Sequence, residues 1–250
     1  MYMCNCNTSL QKSFLLIVVC LCFLINKSVK AQQLSVNGGL SVPISNYGKT
    51  DFPLFENGFA QTGSFASMQY EQSFRKMMGV FAAVNYNYNS VNQVDFTKLV
   101  KVGNKDLTNI TSISSWSQLS LMGGLKFSKA NAGYALFSKI GIGMSWMNSP
   151  GNNLILNDSV MLKWNASSVV KEIFSAGIGF TIPLNESISF QMNGDVLFAF
   201  PDFGIIKITD VTGSSATNTN SSLIVPFSTI QIGTGLIFNL DPSKKVSNLK

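Results

Sequence analysis

Large apolar side chains alternate with small or polar ones along two neighbouring stretches of this chain. The first stretch covers residues 174–184 and the second residues 188–200, and Asn185-Glu186-Ser187 joins them. Alternation with period two, sustained for more than ten residues on each side of a short turn, is typical of a strand hairpin. The same unit recurs along the rest of the chain.

This alternation predicts eight strands in all. The predicted strands cover residues 34–42, 66–74, 78–88, 118–127, 134–146, 174–184, 188–200 and 230–238. The connections alternate in length, with short turns at 75–77, 128–132 and 185–187 and long loops at 45–61, 90–114, 148–170 and 201–225. Short turns at one end and long loops at the other are typical of outer-membrane barrels. We therefore predict an all-β fold, an eight-stranded antiparallel up-and-down transmembrane β-barrel.

The composition restricts the class of protein further. Of the 250 residues, 46% are hydrophobic and only 12% are charged, about half of the ~25% that is usual in soluble domains. No apolar run reaches the ~18 residues of a membrane-spanning helix. Such a chain is either a membrane β-barrel or a very apolar soluble β protein.

The N-terminal segment has the layout of a secretory signal peptide. An apolar run from Phe14 to Ile25 follows Lys12, and Ala31 is the small residue that precedes the predicted cleavage before Gln32. The predicted organisation is a signal peptide at 1–31, an outer-membrane β-barrel at 32–240 and a polar C-terminal tail at 241–250. This export signal and the barrel pattern together predict the outer membrane of a Gram-negative bacterium.

Several kinds of chemistry are excluded by residue type. The chain has no histidine, which removes the usual general base of serine triads and the commonest metal ligand. All four cysteines lie inside the predicted signal peptide, at Cys4, Cys6, Cys20 and Cys22. The Gly-Ile-Gly motifs at 141–143 and 177–179 fall within strands, which is the wrong context for a phosphate loop. We expect no enzyme, no cofactor, no metal and no nucleic-acid partner.

The charged residues indicate which face of the sheet meets lipid. Four ionisable residues lie well within the predicted strands, and all four share the parity of the small and polar side chains: Glu71, Lys126, Lys139 and Asp195. A lysine facing lipid near mid-membrane costs roughly 2–4 kcal/mol, whereas a polar lumen tolerates it. The small-polar parity is therefore predicted to face the lumen. Gln72 departs from the pattern, because it is polar on the apolar parity near the short-turn end.

Aromatic residues of the apolar parity gather at the strand ends. Those near the short turns are Phe74, Phe127, Tyr134, Phe190 and Phe238, and those near the long loops are Tyr86, Tyr88, Trp146, Phe174, Phe198 and Phe200. Membrane barrels carry two such aromatic girdles at the lipid–water interfaces. An ordinary aromatic-rich core is the alternative interpretation.

The four lumenal charges suggest two hypotheses for the barrel interior. They form either a structural charge network that plugs the pore or the lining of a gated or selective channel. We favour the plug, because eight strands leave no aqueous channel. The long loops carry further apolar residues, namely Tyr47, Phe52, Phe55 and Phe59 in the first and Ile155, Leu156, Val160 and Trp164 in the third. These loops either contact a protein, a ligand or lipopolysaccharide, or fold back over the barrel mouth as a cap.

The chain resembles the small outer-membrane β-barrel proteins of Bacteroidota, the OmpA-like and PorT-like barrels. The resemblance covers residues 32–240 through the eight alternating strands, the four long loops and Ala31-Gln32-Gln33 at the predicted cleavage site. It implies outer-membrane lipid, lipopolysaccharide and the barrel-assembly machinery as partners, with Phe238 as the aromatic near the end of the last strand. Our first hypothesis for the function is a structural or surface-interaction role through the four long loops. The alternatives are a narrow channel or transport component, and a secreted lipocalin-like binding barrel.

Overall fold

The structure, a computed structural model, describes residues 31–50, 57–75, 77–103, 107–156, 160–164, 166–212 and 215–240. Three predicted features lie outside these residues: the signal segment up to residue 30, the C-terminal tail, and the pair Phe52 and Phe55 of the first loop. The side chains of Ile155, Leu156, Val160 and Trp164 in the third loop also lie outside the described part of the chain.

The described residues form thirteen strands and two short helices. In chain order these are β1 (Ala31–Pro43), a 3-10 helix (Ser45–Tyr47), β2 (Gly63–Arg75), β3 (Met78–Asn89), α1 (Gln93–Gly103), β4 (Leu107–Ile113), β5 (Trp116–Asn131), β6 (Tyr134–Asn148), β7 (Asn152–Leu156), β8 (Val160–Trp164), β9 (Ser168–Pro183), β10 (Ile188–Ala199), β11 (Asp202–Thr212), β12 (Ser215–Ile224) and β13 (Phe227–Asn239). No helix among these residues is long and apolar enough to cross a membrane.

Eight of the strands close into a barrel, which confirms the predicted fold. Their order around the barrel is β1-β13-β10-β9-β6-β5-β3-β2, and every neighbouring pair is antiparallel. Strands that follow one another in the chain are neighbours in the barrel, so the topology is up-and-down. Burial alternates with period two along these strands, most clearly in β3 and β10.

The hairpin of β9 and β10 is longer than the sequence predicts. The first arm begins at Ser168 rather than at residue 174. The turn lies where it is predicted, and Asn185 shapes it: the backbone N–H groups of Ser187 and Ile188 both donate to Asn185 Oδ1, each at 2.8 Å. An Asn side chain that mimics a backbone turn in this way is a common turn former.

The turn between β5 and β6 differs from the prediction of a turn at 128–132. Strand β5 continues to Asn131, whereas β6 begins at Tyr134 as predicted, so only Ala132 and Gly133 remain between them. Gly133 has φ of +86°, a conformation that glycine adopts without the steric cost of a Cβ atom. The hairpin therefore turns at its glycine, and the polar residues before it belong to the strand.

Three of the predicted long loops contain strands. Strands β4, β7, β8, β11 and β12 form a second sheet in the order β12-β11-β8-β7-β4, which we call the crown. Each crown strand is adjacent in sequence to a barrel strand, and the order matches the barrel order β13-β10-β9-β6-β5. The crown therefore continues five of the eight barrel strands above the rim. Pro150, Pro201 and Pro226 lie at the breaks between the two sheets, where the missing N–H of proline interrupts a ladder.

Candidate functional site

The barrel lumen contains both polar and aromatic side chains. Its buried aromatic residues are Phe65, Phe81 and Phe137, and its polar ones include serines, asparagines and glutamines from β1, β2, β3, β5, β10 and β13. The rings lie against glycines of other strands, since an added methyl group at Gly233 would overlap with Phe65 and one at Gly179 with Phe137. The lumen is thus filled by side chains, as is usual for eight strands.

Glu71 and Lys126 form the first lumenal ion pair. Lys126 Nζ lies 2.5 Å from Glu71 Oε2, and both residues are buried. Strand β3 separates β2, which carries Glu71, from β5, which carries Lys126. The residue of β3 that lies between the two side chains is Gly79, which is paired with Lys126 in the β3–β5 register. Gly79 leaves the space over which the two side chains meet. Lys126 Nζ also lies 4.4 Å from the centroid of the Phe137 ring, a distance at which a cation is attracted to the ring face.

Lys139 and Asp195 form a second pair with the same construction. Lys139 Nζ lies 3.1 Å from Asp195 Oδ2. The strand between them is β9, and its residue at this level is Gly177, which is paired with both Lys139 and Asp195. An added methyl group at Gly177 would overlap with Asp195 Oδ1. The glycine is therefore a requirement of this ion pair. Asn193 Nδ2 also donates to Asp195 Oδ2.

The two ion pairs lie beside each other in the lumen, and we call their four residues the lumenal group. Lys126 and Lys139 are directly paired in the β5–β6 register, and Lys139 Nζ also donates to Gln69 Oε1 at 3.4 Å. The group contains two lysines and two acids, so its net charge is zero. Charges removed from water are tolerated when each is paired and hydrogen-bonded. The four charged residues singled out in the sequence are thus brought together as two pairs rather than as one four-way contact.

A set of amide side chains crosses the lumen elsewhere. Asn85 and Gln231 exchange hydrogen bonds of 2.9 and 3.2 Å, Gln231 also donates to Asn87, and Asn87 donates to Gln118 at 2.8 Å. These side chains come from the neighbouring strands β3 and β5 and from β13, which lies across the barrel from them. The hydrogen bonds therefore tie opposite parts of the wall together across the interior.

The long-loop end of the lumen is closed by a hydrophobic cluster, which we call the mouth cluster. Its buried members are Tyr47, Phe59, Ala60, Val91, Phe96, Trp116, Met147, Ile173, Leu197, Ala199, Phe203, Val225 and Phe227. Tyr47 and Phe59 come from the first long loop, Phe96 from α1, and most of the others from the barrel rim. The described part of the first loop thus folds over the mouth.

Hydrogen bonds and ring contacts hold the mouth cluster together. The ring of Tyr47 meets those of Trp116 at 5.4 Å and Phe227 at 4.5 Å. Trp116 Nε1 donates to the carbonyl oxygen of Gly58 at 2.7 Å, so the indole both fills the cluster and anchors the loop. Burial raises the pKa of the Tyr47 hydroxyl well above its usual value.

The outer wall carries the predicted aromatic residues. Nine of the eleven are exposed and the remaining two, Phe190 and Phe238, are half-buried. Neighbouring members lie side by side in the register, as Phe174 does with Phe198. The strand middles expose aliphatic side chains such as Val36 and Ile140.

Charged residues of the barrel strands that do not belong to the lumenal group lie at strand ends. Arg75 and Lys129 are close to short turns, and Lys171 and Glu172 are close to the rim. Glu172 is not among the charged residues predicted to lie in a strand, because β9 begins at Ser168, before the predicted strand. Gln72 is buried rather than lipid-facing, and the β2–β3 register shifts just beyond it, between Ser73 and Arg75.

Sequence reasoning missed the aromatic and amide filling of the lumen. Phe65, Phe81 and Phe137 have the same parity as the lumenal charges, so the signal was present in the alternation. Which glycine faces each ring depends on the pairing of distant strands. Among the described residues, no three acidic, histidine or cysteine side chains gather as a metal site.

No protein-family model and no curated protein sequence matches the chain. Among solved structures, a major outer membrane protein from Thermus thermophilus is similar with a TM-score of 0.51 and 13% identity, over 84% of this chain and 100% of that one. Neisserial surface protein A matches with a TM-score of 0.43 and 7% identity, over 84% and 97%. Ail of Yersinia pestis matches with a TM-score of 0.42 and 11% identity, over 84% and 100%. At such identities the likeness concerns the fold, and the fold is that of a closed eight-stranded antiparallel β-barrel.

Proposed function

We propose that this chain is a non-enzymatic outer-membrane β-barrel with a closed lumen, and that it has a structural or surface-interaction role through its long loops. The observation that carries the proposal is the inverted polarity of the barrel. Charged and amide side chains are buried inside, whereas large apolar side chains are exposed outside. Water as the outer solvent favours the opposite arrangement, which also disfavours a secreted lipocalin-like binder.

Lipid is the solvent that fits the outer wall. Exposed aliphatic residues occupy the strand middles, and aromatic residues lie towards both ends, as in membrane barrels. Outer-membrane lipid, lipopolysaccharide and the barrel-assembly machinery are the partners that this location implies. Export through a cleaved signal peptide belongs to the same proposal, and N-terminal sequencing of the mature protein should begin at Gln32.

A pair of lysine substitutions on one face of β6 tests the lipid interface. Ile142 is exposed in the middle of the strand and Asn148 is exposed at its rim end, on the same parity. A lysine near mid-membrane costs roughly 2–4 kcal/mol, and one at the interface about 0–1. The Ile142→Lys variant should therefore be lost from the membrane fraction, whereas the Asn148→Lys variant should remain there. The folded protein in that fraction is recognised because heating changes its migration on a gel. Recovery of the unmodified protein in a soluble fraction without detergent would contradict the membrane location.

Two features support the closed lumen, namely the mouth cluster at the long-loop end and the two buried ion pairs inside. Planar-bilayer recordings should give no stable conductance. Stable nanosiemens-scale openings would instead support the narrow-channel alternative and refute the closed lumen. A more specific assignment to the OmpA-like or PorT-like barrels of Bacteroidota is the finer part of this proposal, and the genes that neighbour this one are the observation that tests it.

A further inference from the structure

We propose that the free edge of crown strand β12 binds an extended peptide segment of another protein by strand addition. This inference rests on the proposed surface-interaction role, because it names the class of partner that the loops recognise. Strand addition uses the unpaired backbone groups of a sheet edge and depends little on side-chain identity.

The crown has two edges, and they differ. In the described part of the chain, β4 forms one edge and is contacted by α1, whereas β12 forms the other and is paired with β11 alone. Among the residues that the structure describes, no crown strand continues barrel strands β1, β2 or β3. The described chain after β1 turns into the 3-10 helix and the mouth cluster instead of rising beside β12. Within the described ranges, the outer edge of β12 therefore has no strand beside it.

The register identifies which backbone groups of β12 lie at this edge. Thr212 and Ser215 are paired across a two-residue connection, and residues that flank such a connection form a hydrogen-bonded pair. Alternation then directs the N–H and C=O groups of Thr217 and Thr219 towards β11. Those of Asn218 and Asn220 point to the free edge.

The sequence of β12 lacks the usual protection of an exposed edge. Natural edges carry charged residues, proline or a bulge that prevents pairing with another chain. Residues 215–224 contain no charged residue and no proline, and their pairing with β11 is regular from Ser215 to Ser222. An edge of this kind accepts a strand without net charge more readily than a charged one, because no opposite charge is present to pair with it.

A second copy of the chain does not fit as the partner. Two copies in one membrane share an orientation, so their β12 strands run in the same direction. A two-fold axis along the membrane normal would place each outward N–H of one strand at the height of the same N–H of the other, where neither finds an acceptor. A segment of another protein can run antiparallel to β12, and the full ladder then forms.

Amide hydrogen exchange of the full chain in lipid nanodiscs tests the proposal. The probe is a synthetic peptide with the sequence of residues 205–212, which already pairs with β12 from the other side and has no net charge. Without the peptide, the amides of Asn218 and Asn220 should exchange at least about tenfold faster than those of Thr217 and Thr219, because no described strand lies on the side to which the former point. Saturating peptide should slow the two Asn amides at least tenfold.

An Asn218→Pro variant provides the control, because proline removes one outward N–H and leaves the bonds to β11 in place. It should lose the protection by peptide, while slow exchange at Thr217 and Thr219 shows that the hairpin is intact. The proposal is wrong if the Asn amides are already slow without peptide, or if peptide leaves them unchanged. Exchange within the barrel strands reports the membrane barrel separately, so a failure of the edge proposal is distinguishable from a failure of the proposed function.

Discussion

A methyl group at Gly177 should break the lumenal ion pair of Lys139 and Asp195. The added Cβ would overlap with Asp195 Oδ1, and the carboxylate has no free rotation, because Oδ2 is held by Lys139 and Asn193. Asp195 must therefore move away from Lys139, which leaves a buried charge without its partner. Removing one partner of a buried pair costs about 3–5 kcal/mol. We expect Gly177→Ala to lower the free energy of unfolding by about 3 kcal/mol, since part of the hydrogen bonding can re-form.

Gly194→Ala is the matched control, because Gly194 lies on the neighbouring strand β10 and a Cβ there meets nothing within 4 Å. Urea unfolding in lipid vesicles, followed by tryptophan fluorescence, measures both variants. Gly194→Ala should change the unfolding free energy by less than about 1 kcal/mol. In a Lys139→Met background, Gly177→Ala should cost much less than in the natural chain. Equal losses for the two alanine variants, or full additivity with Lys139→Met, would refute the role assigned to Gly177.

Three further predictions concern the other lumenal pair, the mouth and a turn. Lys126→Met should lower the free energy of unfolding by about 3–5 kcal/mol, because it leaves the buried Glu71 carboxylate without a partner. Combining Lys126→Met with Glu71→Leu should restore most of that free energy, and unfolding measurements on the single and double variants test this. Burial raises the pKa of Tyr47 above its unfolded value of about 10, so the stability it contributes is complete below pH ~10 and is lost as pH rises through the folded pKa. Tyr47→Phe should remove that alkaline loss, and parallel pH curves for the two proteins would contradict it. Gly133→Ala should cost about 1 kcal/mol or more because of the positive φ, and Gly133→Asn should cost less; equal unfolding midpoints would count against the strain.

The barrel strands and their faces are predictable because alternation is a local property. A strand with one lipid-facing side repeats every two residues, and that period survives in the sequence of β10 without knowledge of its neighbours. The charges Lys126 and Asp195 could be assigned to the lumen for the same reason. Their partners could not, because the pairing of Lys126 with Glu71 requires the register of three strands and a glycine between them.

The crown was not predictable for a different physical reason. Strand β12 is composed of serine, threonine, asparagine and alanine up to Ser222, so neither of its faces is marked by apolar residues, and the sequence predicts a loop there. Its regular pairing with β11 is set by backbone hydrogen bonds and by the continuation of the barrel wall. Neither the backbone hydrogen bonds nor the continuation of the barrel wall leaves an alternating pattern in the side chains of β12.

The free energy needed to open the mouth cluster determines whether the lumen can conduct solutes. Tyr47 and Phe59 are the aromatic members supplied by the first long loop, Phe96 is supplied by α1, and all three are buried. Exposing a large apolar side chain costs roughly 1.5–3 kcal/mol, so lifting three of them costs about 5–9 kcal/mol before the ion pairs below are disturbed. A difference of about 5 kcal/mol corresponds to an open fraction below about one in a thousand. Spontaneous opening is therefore rare, and a partner that opened the barrel would have to contribute at least this energy at the loops. For the surface-interaction role proposed above, recognition at the crown and mouth therefore needs less energy than recognition within the lumen.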